Sequence, residues 1–275
     1  MSESQRTSKP FFVPDRLTLT VAIVLLAFAG VSWIASYYLM PLMMSSSGSG
    51  MMSMGVAGIV SSLSLSTIAI FLVIWVIGMA AMMFPAMIPI VLLYNKFATK
   101  LESNPRLARV VGTPLFLSGY LIMYAILGVA AYLGIYEALN LSMNFPALSL
   151  LSVIAPSAVL IITGVYQFTP LKNRCLSNCV SPMGFFAAHS RKGLFGSIRM
   201  GLSHGAYCVG CCWAFMLVML AVGLMSIPVM AALAGVIAIE KVIVKGSVWF
   251  NGLVGAGFIV LGVLVGFFPR LLVML

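Results

Sequence analysis

The chain has 275 residues and a net charge of +10, yet it is 62% hydrophobic and only 7% charged, with a mean hydropathy of +1.15. Soluble globular domains carry about 25% charged residues, so this composition excludes an ordinary soluble core and predicts a multi-pass protein of the cell membrane whose first partner is the lipid bilayer. The basic excess does not indicate nucleic acid, because the lysines and arginines fall in short clusters between apolar runs, as membrane topology requires.

In chain order, a polar tail, residues 1–16, precedes a run from Leu17 to Met40 that is long enough to span and has no clear small-residue cleavage site, so it is expected to stay as an anchor. No charge occurs between Leu17 and Asn95, which is room for two spans of about 20 residues each and a loop. Apolar runs then predict spans near 17–40, 64–94, 113–133, 148–168, 203–224, 227–243 and 248–268. The fold class is therefore an all-α membrane helix bundle of about seven transmembrane helices, one domain over residues 17–275. Every lysine and arginine except Arg270 lies before the first span or in the gaps after spans two, four and six. The positive-inside rule then sets the N-terminus in the cytoplasm and the C-terminus outside. It also makes residues 41–63 an outer loop and 169–202 a cytoplasmic one.

The second span is about ten residues longer than a crossing needs and contains Pro85 and Pro89. Each proline removes a backbone donor and crowds the preceding turn, which predicts a kink or a break. In the last span Gly262 and Gly266 form a small-xxx-small pair suited to close helix packing.

The chemistry lies in sulfur. His204, Cys208, Cys211 and Cys212 fall on one side of a helix that runs straight into an apolar segment. In the preceding cytoplasmic loop, Thr169 can cap a helix with Pro170 at its first position, which puts Cys175 and Cys179 four apart on one face. Met83 and Met87, with Met79, form a stripe in span two at the same membrane depth as the cysteines. The outer loop adds Met43, Met44, Met51, Met52 and Met54 among serines and glycines. Thioethers outside and thiolates inside are the ligand set that selects Cu(I) over harder ions. Zinc is the second metal, limited by a chain with only two histidines, His189 and His204. The candidate ligands are Cys208, Cys211, Cys212, His204, Cys175, Cys179, Met83 and Met87. Three thiolates on one Cu(I) would leave net charge −2 in a low-dielectric setting, so two thiolates with Met83 or Met87 are favoured, with Lys172, Arg174 and Lys241 available to offset charge.

Each of these features also has a plainer explanation. Cysteine is a small hydrophobe, a methionine stripe is ordinary packing, and Glu240 at a span end can snorkel to water. His189 is expected to be solvated. A thiol oxidoreductase using the same cysteines, or an accessory structural subunit of a larger membrane complex, are the alternatives to copper handling.

The strings Ala81-Met82-Met83-Phe84-Pro85, Gln167-Phe168-Thr169-Pro170-Leu171-Lys172 followed by Cys175 and Cys179, Gly201 to Gly205, Cys208-Val209-Gly210-Cys211-Cys212-Trp213 and Glu240-Lys241 resemble the family of predicted metal-binding integral membrane proteins, a domain of unknown function. The resemblance runs from about Ser66 to Ile243 and implies a multi-span protein with a metal site on these cysteines. It supplies no activity or metal. The partners expected of such a site are a membrane metalloenzyme or a metal chaperone.

Overall fold

The computed structural model describes residues 16–45, 60, 63–101, 108–144, 149–189, 193–222 and 226–268, and all regular structure among them is helical. The order is α1 (Arg16–Ser45), α2 (Leu65–Leu101), a π-turn (Ala108–Gly112), α3 (Thr113–Asn144), α4 (Ser149–Tyr166), α5 (Pro170–Val180), α6 (Pro182–His189), α7 (Leu194–Val222), α8 (Ile227–Ala238), a second π-turn (Ile239–Ile243) and α9 (Val248–Phe267). Most of the N-terminal tail and Met51, Met52 and Met54 of the expected outer loop lie outside the described residues.

Among the described residues, five helices are long and apolar enough to cross a membrane: α1, α2, α3, α7 and α9. A sixth crossing is available if α4 and α5, which meet at a bend of 68°, count as one. The seventh expected span, 227–243, is α8 with its π-turn, 12 residues followed by five. At 1.5 Å per residue this piece reaches about 25 Å, less than the hydrocarbon thickness of about 30 Å.

The bundle is built around α2 and α7. Of their most apolar stretches 56% is buried, against 22% for α1 and α9, which lie at the periphery. Close contact on α7 depends on missing side chains. A Cβ at Gly201 would strike the carbonyl of Phe116, and one at Gly119 the carbonyl of Ile198, so α3 and α7 approach backbone to backbone at this pair. The expected seam on α9 is present too: a Cβ on Gly262 would come within 2.7 Å of Ile161 and one on Gly266 within 3.0 Å of Ser157. Ser157 Oγ closes that seam by donating to the Gly262 carbonyl at 2.7 Å.

The chain stays helical through both Pro85 and Pro89, so of the kink or break expected in span two the break does not occur. Packing on both sides holds that helix: Met82, Met83, Phe84, Ala86 and Met87 are all buried around the prolines.

Candidate metal centre

Helix α7 presents one sulfur-bearing face to the interior. His204, Cys208, Cys211 and Cys212 are each at most 3% exposed. Helix α5 supplies the remaining thiols, and its start is local chemistry: Thr169 Oγ1 accepts from the Lys172 amide at 3.4 Å and Pro170 occupies the first turn, as the sequence predicts. Packing α5 on α7 turns Cys179 inward. The Sγ atoms of Cys179, Cys208 and Cys211 then all lie within 4.8 Å of one another, a group of three buried thiols that could hold a metal ion. Within it, Cys211 Sγ is 3.8 Å from Cys179 Sγ; Cys212 Sγ, outside the group, lies 3.4 Å from Cys211 Sγ.

Cys175, one turn before Cys179, is partly exposed. It rests against α7 where Gly210 leaves room, since a Cβ on Gly210 would come to 2.7 Å from Cys175 Sγ. The Tyr166 hydroxyl donates to the carbonyl of the same Gly210.

Three hydrogen-bonding groups converge on Cys208. Lys241 Nζ lies 2.8 Å from its Sγ, Tyr124 donates its hydroxyl at 3.2 Å, and the Tyr120 hydroxyl is also at 3.2 Å. A buried ammonium beside a sulfur complements a thiolate, and charge-assisted contacts are the stronger kind. Of the three basic residues expected to offset charge, Lys241 does so by contact. Lys172 is committed elsewhere: fully buried, it pairs with Glu240 at 2.6 Å, donates to Gln167 Oε1 and sits 4.9 Å from the centre of the Phe215 ring. Arg174 faces outward. Glu240 does not snorkel to water as the sequence allows for a span-end carboxylate, because its side chain is 2% exposed and closes the pair with Lys172.

Tyr120 and Tyr124 as direct neighbours of Cys208 escape sequence reasoning, since they come from α3, far away in the chain, whereas Lys241 is one of three basic residues expected near the thiols. The tyrosines' spacing of four on one apolar helix was the available signal. His204 does not join the three-thiol group. It lies against the rings of Phe116, Tyr120 and Phe185, with centroids 6.2, 6.0 and 5.3 Å away, and its Nδ1 has no hydrogen-bond partner among the described residues. His189, expected to be solvated, is half-buried and stacked on Phe185 at 4.9 Å. Met83 and Met87 share the buried core with the cysteines.

The match to known proteins covers this whole assembly. Residues 72–265 match the PpoB2 family, described as a copper chaperone. The chain belongs to that family. For a PpoB2-family chain, three clustered buried thiols are a suitable donor set, because polarisable sulfur is what copper in its soft state prefers. Helix α1 and the methionine-rich loop lie before the matched residues, whereas every cysteine, Met83, Met87 and Lys241 lie within them. The chain matches no curated protein and no solved structure.

Proposed function

We propose that this PpoB2-family protein is a multi-span membrane copper carrier of five or six crossings, N-terminus in the cytoplasm, that binds Cu(I) at Cys179, Cys208 and Cys211 in the cytoplasmic half of the membrane and serves copper handling or the assembly of a membrane copper enzyme. The observation that carries this reading is the group of three buried sulfurs within 4.8 Å of one another. Cys212, Cys175, His204, Met83 and Met87 are auxiliary ligands in this reading. Charge is consistent with the monovalent ion when two of the three cysteines bind as thiolates and the third stays a neutral thiol: Cu(I) with two thiolates has net charge −1, and the Lys241 ammonium at Cys208 brings the assembly to zero, which suits a site that excludes water. Zinc with the same two thiolates and Lys241 would leave one positive charge in excess.

The test is Cu(I) stoichiometry on purified protein, measured by competition with a chromogenic Cu(I) chelator. One tightly held ion in the native chain, lost in Cys208→Ser/Cys211→Ser, is the expected result, because a serine hydroxyl is a hard, protonated ligand. Stoichiometric copper that survives both substitutions refutes the assignment. A second reading, a thiol oxidoreductase, draws on the 3.8 Å between Cys179 and Cys211 Sγ. It requires a reversible disulfide that turns over without bound copper.

A further inference from the structure

We infer that Cys175 is the exchange thiol of this site, the ligand that takes Cu(I) from a small Cu(I)–thiolate complex and passes it to Cys179. The inference rests on the three-thiol site proposed above and adds the route by which that site is filled. The problem it solves is access. Cys179, Cys208, Cys211 and Cys212 are all buried, and Cys175 is the one cysteine that keeps part of its surface exposed. It stands one helical turn from Cys179 on the same face of α5, and Cys179 Sγ lies 3.8 Å from Cys211 Sγ. The thiols thus form a ladder from the surface to the interior.

Gly210 supplies an independent observation. Cys175 is seated on α7 only because residue 210 has no side chain: a Cβ there would be 2.7 Å from the sulfur and 3.4 Å from Cys175 Cβ. The glycine lies between Cys208 and Cys211 in sequence, so the exposed thiol is held against the segment that carries the interior ones. Beside it, the exposed Arg174 favours an anionic donor such as a copper–glutathione complex.

The transfer is ligand exchange without redox change. As the Cu–S bond to Cys175 forms, the Cu–S bond to the donor breaks, and the proton leaving the Cys175 thiol ends on the departing donor thiolate. Copper remains Cu(I). The same exchange moves it to Cys179, which regenerates the Cys175 thiol. A single sulfur cannot compete with three at equilibrium, so Cys175 governs the rate of filling and leaves the final occupancy unchanged.

The experiment loads the purified full-length chain with Cu(I)–glutathione and follows protein-bound copper against time, together with the order in which N-ethylmaleimide labels the five cysteines. Cys175 should label first. Cys175→Ser should reach the native stoichiometry at least tenfold more slowly, and Gly210→Ala, which keeps the thiol but displaces it, should be slowed as well. Native loading rate in Cys175→Ser, or labelling of a buried cysteine ahead of Cys175, overturns the inference while leaving the three-thiol site standing. Failure of the native chain to take up copper removes that site and the exchange role together.

Discussion

Removing one partner of the Lys172–Glu240 pair is the most demanding test of how α5 is held on the rest of the bundle. At the observed 2.6 Å and an effective dielectric constant of about 20, the attraction is about 6 kcal/mol. Desolvation of the two ions consumes several kcal/mol of it. The net value of the intact pair is therefore small, but the cost of orphaning one member is not: Lys172 is fully buried, and breaking such a pair typically costs about 3–5 kcal/mol. Lys172→Met and Glu240→Gln should each destabilise by that amount in equilibrium unfolding in mixed detergent micelles, while Lys172→Met/Glu240→Leu should recover to within about 2 kcal/mol of the native chain. Because the pair joins the helix bearing Cys179 to the turn bearing Lys241, the single variants should also weaken Cu(I) binding. Single substitutions that each cost less than about 1 kcal/mol, the range of an exposed pair, would show that the two charges are not enclosed together.

Lys241→Met removes the cation from Cys208 and should lower Cu(I) affinity about 10- to 100-fold, the usual effect of losing an outer partner of a metal ligand; competition titration gives the number, and unchanged affinity dismisses the charge argument. Gly119→Ala sets a Cβ against the α7 backbone, with Leu202 N at 3.1 Å, and should cost about 1–3 kcal/mol in the same unfolding assay. Replacing Met43, Met44, Met51, Met52 and Met54 together by leucine should leave equilibrium Cu(I) stoichiometry intact and slow only loading from the outer face of vesicles, so loss of the bound ion with this set alone would move the site outside. Reporter fusions at Gly50, Ser103, Asn144 and Lys192 should read outside, inside, outside, inside.

The sulfur face of α7 was legible because its residues follow one helical period, and the start of α5 was legible because Thr169-Pro170 is a strong local signal. What brings Cys179 to Cys208 and Cys211 is the packing of α5 on α7 after the 68° bend from α4, a long-range contact that no local pattern encodes. The same holds for Lys241 at Cys208: the sequence offered three basic residues to balance the thiols, and only packing decided that Lys172 goes to Glu240 and Lys241 to sulfur. At the prolines the local pattern allowed a kink or a break, and the break does not occur. The local cost of proline is real, but buried neighbours on both sides of Pro85 and Pro89 keep α2 helical where propensity alone favours a break.

The π-turn at Ile239–Ile243 has its own consequence. Val244 N bonds back to the Ile239 carbonyl at 2.9 Å, five residues away, so the coil here is wider than an α-helix. Consecutive residues on an α-helix diverge by about 100°, yet Glu240 and Lys241 are both buried and reach partners on different helices, α5 and α7. The wider coil holds one more residue than an α-helical turn would. Deleting one position in 239–243 would give a more regular helix, and the segment would lose the extra residue that lets Glu240 and Lys241 serve two different helices. Either the carboxylate would leave Lys172 or the cation would leave Cys208. The better-wound chain would be the worse protein.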